Sequence, residues 1–150
     1  MAQTDPQARW PAYARVPPFL PVPLRARADG WTEQRQADFI GHLAETGCVA
    51  EAARRMGMSR MAAYRLRRSA GAGSLAHAWD AVMAAWRGEE IQHRKVTPAE
   101  LPEHAFEGPY RVLMRRGRFV RARRKPSSSA LLRHLRWMDR IADRVEESAA

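Results

Sequence analysis

"EAARRMGMSRMAAYRLRR", residues 51–68, carries six arginines from Arg54 to Arg68 with no acid among them. Gly57 and Ser59 interrupt what otherwise reads as helix. Glycine takes positive φ at little steric cost, so Gly57 suits the end of one helix. A serine hydroxyl satisfies an orphan amide, so Ser59 suits the start of the next. The stretch therefore predicts a short helix over 49–56, a tight turn, and a third helix over 60–68.

A turn at Gly57 fixes which side chains face inward. Ala53 falls where two helices would cross closely and a large side chain would clash. The expected core positions are Ala52, Met56, Met58, Ala63 and Leu66, all apolar. The positions left outward are Arg60, Met61, Tyr64, Arg65 and Arg68. A recognition helix needs that division, one face held by the core and the other free for the major groove. Arginine pairs bidentately with guanine, and phosphates draw the remaining arginines. The expected DNA-reading residues are Ser59, Arg60, Met61, Tyr64, Arg65 and Arg68, with Arg54, Arg55 and Arg67 on the backbone. The bland alternative is a helical hairpin with a solvated basic face.

Working outward, a helix is expected from Thr32, which caps it, with Glu33 at the positive end of the first turn. Phe39, Ile40, Leu43 and Ala44 form its apolar face, and Gly47 ends it. Residues 1–30 hold six of the ten prolines, which excludes helix there. This arm reads as a loose tail, although Trp10, Tyr13, Phe19 and Leu20 suggest that part of it docks. A DNA-touching arm, resting on Arg25 and Arg27, is the lesser alternative. Few core contacts are expected from residues 1–24. After a flexible break at 69–74, Trp79, Val82, Met83 and Trp86 give helical spacing from Leu75 onward. Residues 96–109 read as a proline-rich linker.

"YRVLMRRGRFVRARRK", 110–125, holds eight basic residues and no acid. Tyr110, Val112 and Met114 alternate as in a strand, and Arg116-Gly117 suits a two-residue hairpin turn. Either the hairpin lies along phosphates or its charge protects a solvated edge. The candidate backbone contacts are Arg115, Arg116, Arg118, Arg121, Arg123, Arg124 and Lys125. A last helix is expected over 129–146. Its Leu131, Leu135, Met138, Ala142 and Val145 follow a heptad-like seam that points to oligomerisation.

The formal net charge of +10, with 24 Arg against 2 Lys, favours a polyanionic partner. Codon bias accounts for part of the arginine richness but not for its clustering. Apolar residues at 45% suffice for a packed core. Cys48 alone permits no internal disulfide and is expected to be buried; a reducing cytoplasm is the default. No run is long enough to span a bilayer, and the start lacks a secretory pattern.

Catalysis is not expected. His42, His77, His93, His104 and His134 are scattered without metal-ligand spacing, and no metal or cofactor is implied. There is no phosphate-binding glycine loop and no nucleophile elbow. Glu89 and Glu90, if helical, face apart. Trp31, Trp79 and Trp86 fit core faces.

The segment "WTEQRQADFIGHLAETGCVAEAARRMGMSRMAAYRLRR", residues 31–68, resembles the homeodomain-like helix-turn-helix of small bacterial and phage proteins, including small terminase subunits and recombinase-type DNA-binding domains. The match rests on the "WT" helix opening, "TGCVAEAARRMGMSR" and "AYRLRR". It covers under a third of the chain. The order of "YRVLMRRGRFVRARR" and "ALLRHLRWMDR" is similar to the hairpin and helices that assemble small terminase rings, whereas the proline-rich arm departs from that pattern.

The expected organisation is a mainly α fold with a small basic β-hairpin. It has an arm over 1–30, a helix-turn-helix over 31–69, a packing helix over 70–95, a linker over 96–109, and a hairpin with C-terminal helix over 110–150. The expected function is non-catalytic binding of double-stranded DNA at the nucleoid, with transcription regulation as the broader class. DNA packaging or recombination as a small accessory subunit is the alternative. A structural protein that assembles through its C-terminal helix is the competitor from another class. An RNA-binding role lacks a recognisable RNA module.

Overall fold

The computed structural model describes residues 10–11, 14–25, 30–90 and 92–150. Tyr13 and Arg27 lie outside the described residues. The described chain is mainly helical, with one two-stranded antiparallel sheet. It divides into two compact units: the described residues of Met1–His93 with Tyr110–Arg123, and Arg94–Pro109 with Arg124–Ala150.

The first unit is built on α1, Glu33–Thr46. The Thr32 side chain accepts from the Arg35 amide at its start, and Gly47 closes it at φ 65°. A side chain at Gly47 would also collide with the Trp86 ring. Phe39 on α1 is fully buried, with its ring centroid 5.5 Å from that of Trp31 and 5.2 Å from that of Trp79. Trp79 comes from α4, Gly73–Trp86. Between these lie α2, Val49–Arg55, and α3, Arg60–Arg67.

The hairpin packs with this helical unit. Its strands are β1, Tyr110–Arg115, and β2, Arg118–Arg124. Arg116 and Gly117 both have positive φ, 52° and 77°, as a type I′ turn requires. The Phe119 ring lies against the backbone at Gly41, so close that a Cβ there would sit 2.3 Å from it. A glycine inside an otherwise helical pattern is the sequence signal for such an approach. On β2, Phe119 is half-buried and Ala122 buried, whereas Val120 and Arg121 are both exposed, so strict alternation fails.

The described part of the arm is core, which corrects the expectation that residues 1–24 contribute little. Phe19 and Val22 have no exposed surface, and Trp10, Val16 and Leu20 are buried. Proline excludes helix but leaves extended chain, and extended chain needs partners for its amides. The Val22 amide donates to buried Gln36 Oε1 at 2.7 Å, while Gln36 Nε2 donates back to the Val22 carbonyl at 3.1 Å. The Leu20 amide donates to Ser74 Oγ at 2.8 Å. Phe19 and Tyr110 exchange backbone hydrogen bonds of 3.2 and 2.8 Å, so the arm adds a bridge beside β1.

In the second unit, residues 96–109 are not a bare linker. A 3₁₀ turn, Pro98–Glu100, leads into α5, Leu101–Phe106. Thr97 and Glu100 form a capping box, and Pro98 and Pro102 sit in first-turn positions where their missing amides cost nothing. These prolines start helices instead of breaking them. The long α6, Ser128–Ala149, is capped by Ser127 and packs on α5 through Ala130.

If the arm is core, truncating one of its fully buried rings removes stability directly. Phe19→Ala should cost about 3–5 kcal/mol in denaturant unfolding. A midpoint unchanged within error would return the arm to the status of a loose tail.

Candidate nucleic-acid interface

Gly57 ends α2 at φ 68°. The Met58 amide reaches back to the Ala53 carbonyl at 2.9 Å, and the Gly57 amide to the Arg54 carbonyl at 3.0 Å. This pair of bonds is a Schellman closure, and it satisfies carbonyls that the helix end would otherwise orphan. Arg35 on α1 secures the turn from outside. Its Nη2 donates to the Met56 carbonyl, and its Nη1 to the Gly30 carbonyl at 2.9 Å. Nothing in the residue pattern distinguishes Arg35 from other helix-surface arginines, so sequence reasoning misses this role. Ser59 Oγ accepts from the Ala62 amide at 3.0 Å and starts α3.

The two helices meet through small residues. Ala52, Ala53 and Ala63 have no exposed surface, and Leu66 has almost none. Met56 and Met58 are half-buried against the same cluster. α3 is therefore held on one side, with α2 and α4 as its packing neighbours.

The opposite side of α3 presents Arg60, Arg65 and Arg68, all exposed, with Met61 at 67% exposure between them. Tyr64 is half-buried because its ring packs on Trp79, centroids 5.4 Å apart. The Arg60 guanidinium lies 5.5 Å from the centroid of the Tyr64 ring. No carboxylate among the described residues lies within 4 Å of the Arg60, Arg65 or Arg68 guanidinium.

The other basic residues divide by what they already hold. Arg54 pairs with Glu51 at 2.6 Å, and Arg55 pairs with Glu45 and Glu51. Surface pairs of this kind contribute little to stability, so a phosphate can replace the carboxylate cheaply. Arg67 pairs with Asp80 at 2.8 Å while its guanidinium covers Trp79 at 5.3 Å. Arg124 is clamped between Glu103 at 2.9 Å and Glu107 at 3.0 Å, and its side chain is 15% exposed. Those two arginines are engaged in packing. On the hairpin, Arg111, Arg115, Arg116, Arg118, Arg121, Arg123 and Lys125 are exposed.

Cys48 is exposed, contrary to the expected burial: it is the extended residue between the Gly47 close of α1 and the first turn of α2. Among the described residues no group of three His, Cys, Asp or Glu side chains could hold a metal ion. No helix is long and apolar enough to cross a membrane. No family model, curated protein or solved structure matches the chain.

His42 on α1 sits at the hairpin contact, with its ring 5.1 Å from Phe119 and its Nδ1 buried without a hydrogen-bond partner. Burial, reinforced by the Arg55 guanidinium, holds its pKa below the ordinary value. His104 on α5 is likewise lowered by burial. The unfolded chain therefore takes up these protons more readily than the folded one. Their contribution to stability is complete above about pH 6.5 and is lost as pH falls through the lowered folded values. Melting temperature should fall between pH 7 and 5, and His42→Gln should flatten that fall. A profile identical to the parent would show that His42 carries none of it.

A Cβ at Gly57 would meet nothing within 4 Å, so only backbone strain opposes substitution. Gly57→Ala should cost about 1 kcal/mol, and Gly57→Asn less, because asparagine tolerates the left-handed region. Thermal melts check this, and equal loss with Ala and Asn would contradict the φ argument.

Proposed function

We propose that the chain binds double-stranded DNA without catalysis, using α2, the Gly57 turn and α3 as a helix-turn-helix. The observation that carries this reading is the unpaired trio Arg60, Arg65 and Arg68 on the free face of a helix whose other face is buried. Three cations left without carboxylates beside acid-paired neighbours fit a partner that brings its own negative charge. Arg60, Arg65 and Arg68, with Met61, Tyr64 and Ser59, are placed at base edges or adjacent phosphates. Arg54 and Arg55 are placed on the backbone. Tyr64 acts chiefly as a platform that braces Arg60, given its packing on Trp79.

The hairpin adds a second, sequence-independent contact. Arg116 holds φ 52° at its tip, where glycine or asparagine is the comfortable choice. What arginine adds there is charge, and the exposed Arg115, Arg118, Arg121, Arg123 and Lys125 continue it. The biological use we favour is transcription regulation at the nucleoid, with DNA packaging or recombination as the alternative. A separate reading, assembly of copies through α6, is favoured by its exposed apolar residues.

The roles separate in a titration of cognate and scrambled duplexes at several salt concentrations, the cognate site coming from selection out of random duplex. Each good bidentate base contact discriminates by roughly 1–3 kcal/mol, whereas each phosphate contact adds about one unit of salt slope. Arg65→Ala should lower the ratio of specific to non-specific affinity. Arg118→Ala should weaken both equally and flatten the salt dependence. If substitution of Arg60, Arg65 and Arg68 leaves the ratio unchanged, α3 is not the reader.

A further inference from the structure

The second unit holds a cleft of about 520 Å³ between the chain that enters α5 and one side of α6. That volume lies within the range of small-molecule sites, roughly 300–1,000 Å³. Val96, Pro98 and Leu101 give it an apolar wall. From α6 come the half-buried indole of Trp137 and the exposed Arg133, Arg136 and Arg140. Helical spacing brings these four residues to one side of α6. The arginines there lie opposite the stripe of Leu135, Met138, Ala142 and Val145, so the cleft and that stripe are separate surfaces. The His134 ring runs nearly parallel to the indole, at 21° with centroids 6.4 Å apart, and helps to fix its plane. No carboxylate lies within 4 Å of the Arg133, Arg136 or Arg140 guanidinium among the described residues, although Asp139 shares the rim.

We propose that this cleft binds a nucleotide, its base on the Trp137 indole and its phosphate on the guanidiniums. The proposal is independent of the helix-turn-helix reading, since it concerns another unit and another ligand. Three cations against one carboxylate leave the lining with a charge of +2. A phosphate monoester, at roughly −1.5 to −2 near pH 7, matches it. Guanidiniums take phosphate oxygens in bidentate pairs. An indole beside an apolar wall takes a flat ring by stacking, whichever base it is. Asp139 is the one acidic side chain of the lining and suits a sugar hydroxyl. Other classes use only part of this set. Inorganic phosphate leaves the indole and the wall idle, a neutral aromatic leaves the arginines unmatched, and duplex DNA keeps its bases stacked away from a cleft. A ligand of base plus phosphate comes either free or as one unit of a single strand.

The probe is adenosine monophosphate, titrated into the labelled full chain while backbone amide shifts are followed. Saturable shifts should fall at residues 96–101 and 133–140, with adenosine and inorganic phosphate each binding at least tenfold more weakly. Arg136→Ala together with Arg140→Ala should weaken the nucleotide at least tenfold and leave adenosine unchanged. Both side chains are exposed, so the circular dichroism and melting of that variant should match the parent. Trp137→Leu should weaken nucleotide and adenosine alike, and Trp137→Phe, which keeps a stacking face, should retain most of the binding. A short oligo-deoxyadenosine strand that binds at the same amides at least tenfold more tightly than the monophosphate makes the ligand a unit of a single strand; a monophosphate that binds as well or better makes it free nucleotide. No saturable shift at these amides with either probe, or inorganic phosphate bound as tightly as nucleotide, overturns the proposal. Duplex binding at α3 is read from other amides, so that outcome leaves the helix-turn-helix reading standing.

Discussion

The 2.9 Å bond from the Met58 amide to the Ala53 carbonyl exists only because Gly57 turns into positive φ. That bond sets the direction in which the chain leaves α2, and so which side of α3 meets the core. Ala63 and Leu66 go inward, and Arg60, Arg65 and Arg68 go out. A residue that resisted the turn would rotate the arginines relative to their support. Small side chains at Ala52, Ala53 and Ala63 make the close crossing possible. Arg35 reinforces it by holding the Met56 carbonyl from α1.

The rest of the first unit braces this arrangement. Phe39 joins Trp31 and Trp79, and Trp79 supports both Tyr64 and the Arg67 guanidinium. The arm and the hairpin approach α1 at different positions, the arm through Gln36 and the hairpin through Gly41 and Gln34, which donates to the Ala122 carbonyl at 2.9 Å. Buried polar groups of this kind are expensive unless fully paired, so Gln36 fixes the path of the arm as well as stabilising it. The basic residues thus fall into two groups. Arg67 and Arg124 are paired with acids, whereas Arg60, Arg65 and Arg68 on α3 and the arginines of the hairpin are exposed.

Local signals were legible in the sequence wherever one residue has one physical use. Thr32, Gly47, Gly57 and Ser59 announced the ends of α1, α2 and α3, and Arg116-Gly117 announced the hairpin turn. The inward positions of α2 and α3 followed from those ends. Proline misled twice for one reason: its meaning depends on position. In the arm it marks extended chain that the core pairs through Gln36 and Ser74, and at Pro98 and Pro102 it marks first turns. Long-range partners were not legible, because an arginine paired with Asp80 or Glu103 looks the same in sequence as one left exposed. The candidate site was therefore read as a whole basic stretch, and the ion pairs are what divide it.

The proposed contact is between duplex DNA and the exposed side of α3. Titrating the labelled chain with duplex DNA and following backbone amide shifts tests it residue by residue. The largest changes should fall at Ser59–Arg68, with a second, salt-sensitive set around Arg115–Arg118. Saturating shifts confined to α6, or an unmoved α3 at full occupancy, would contradict it.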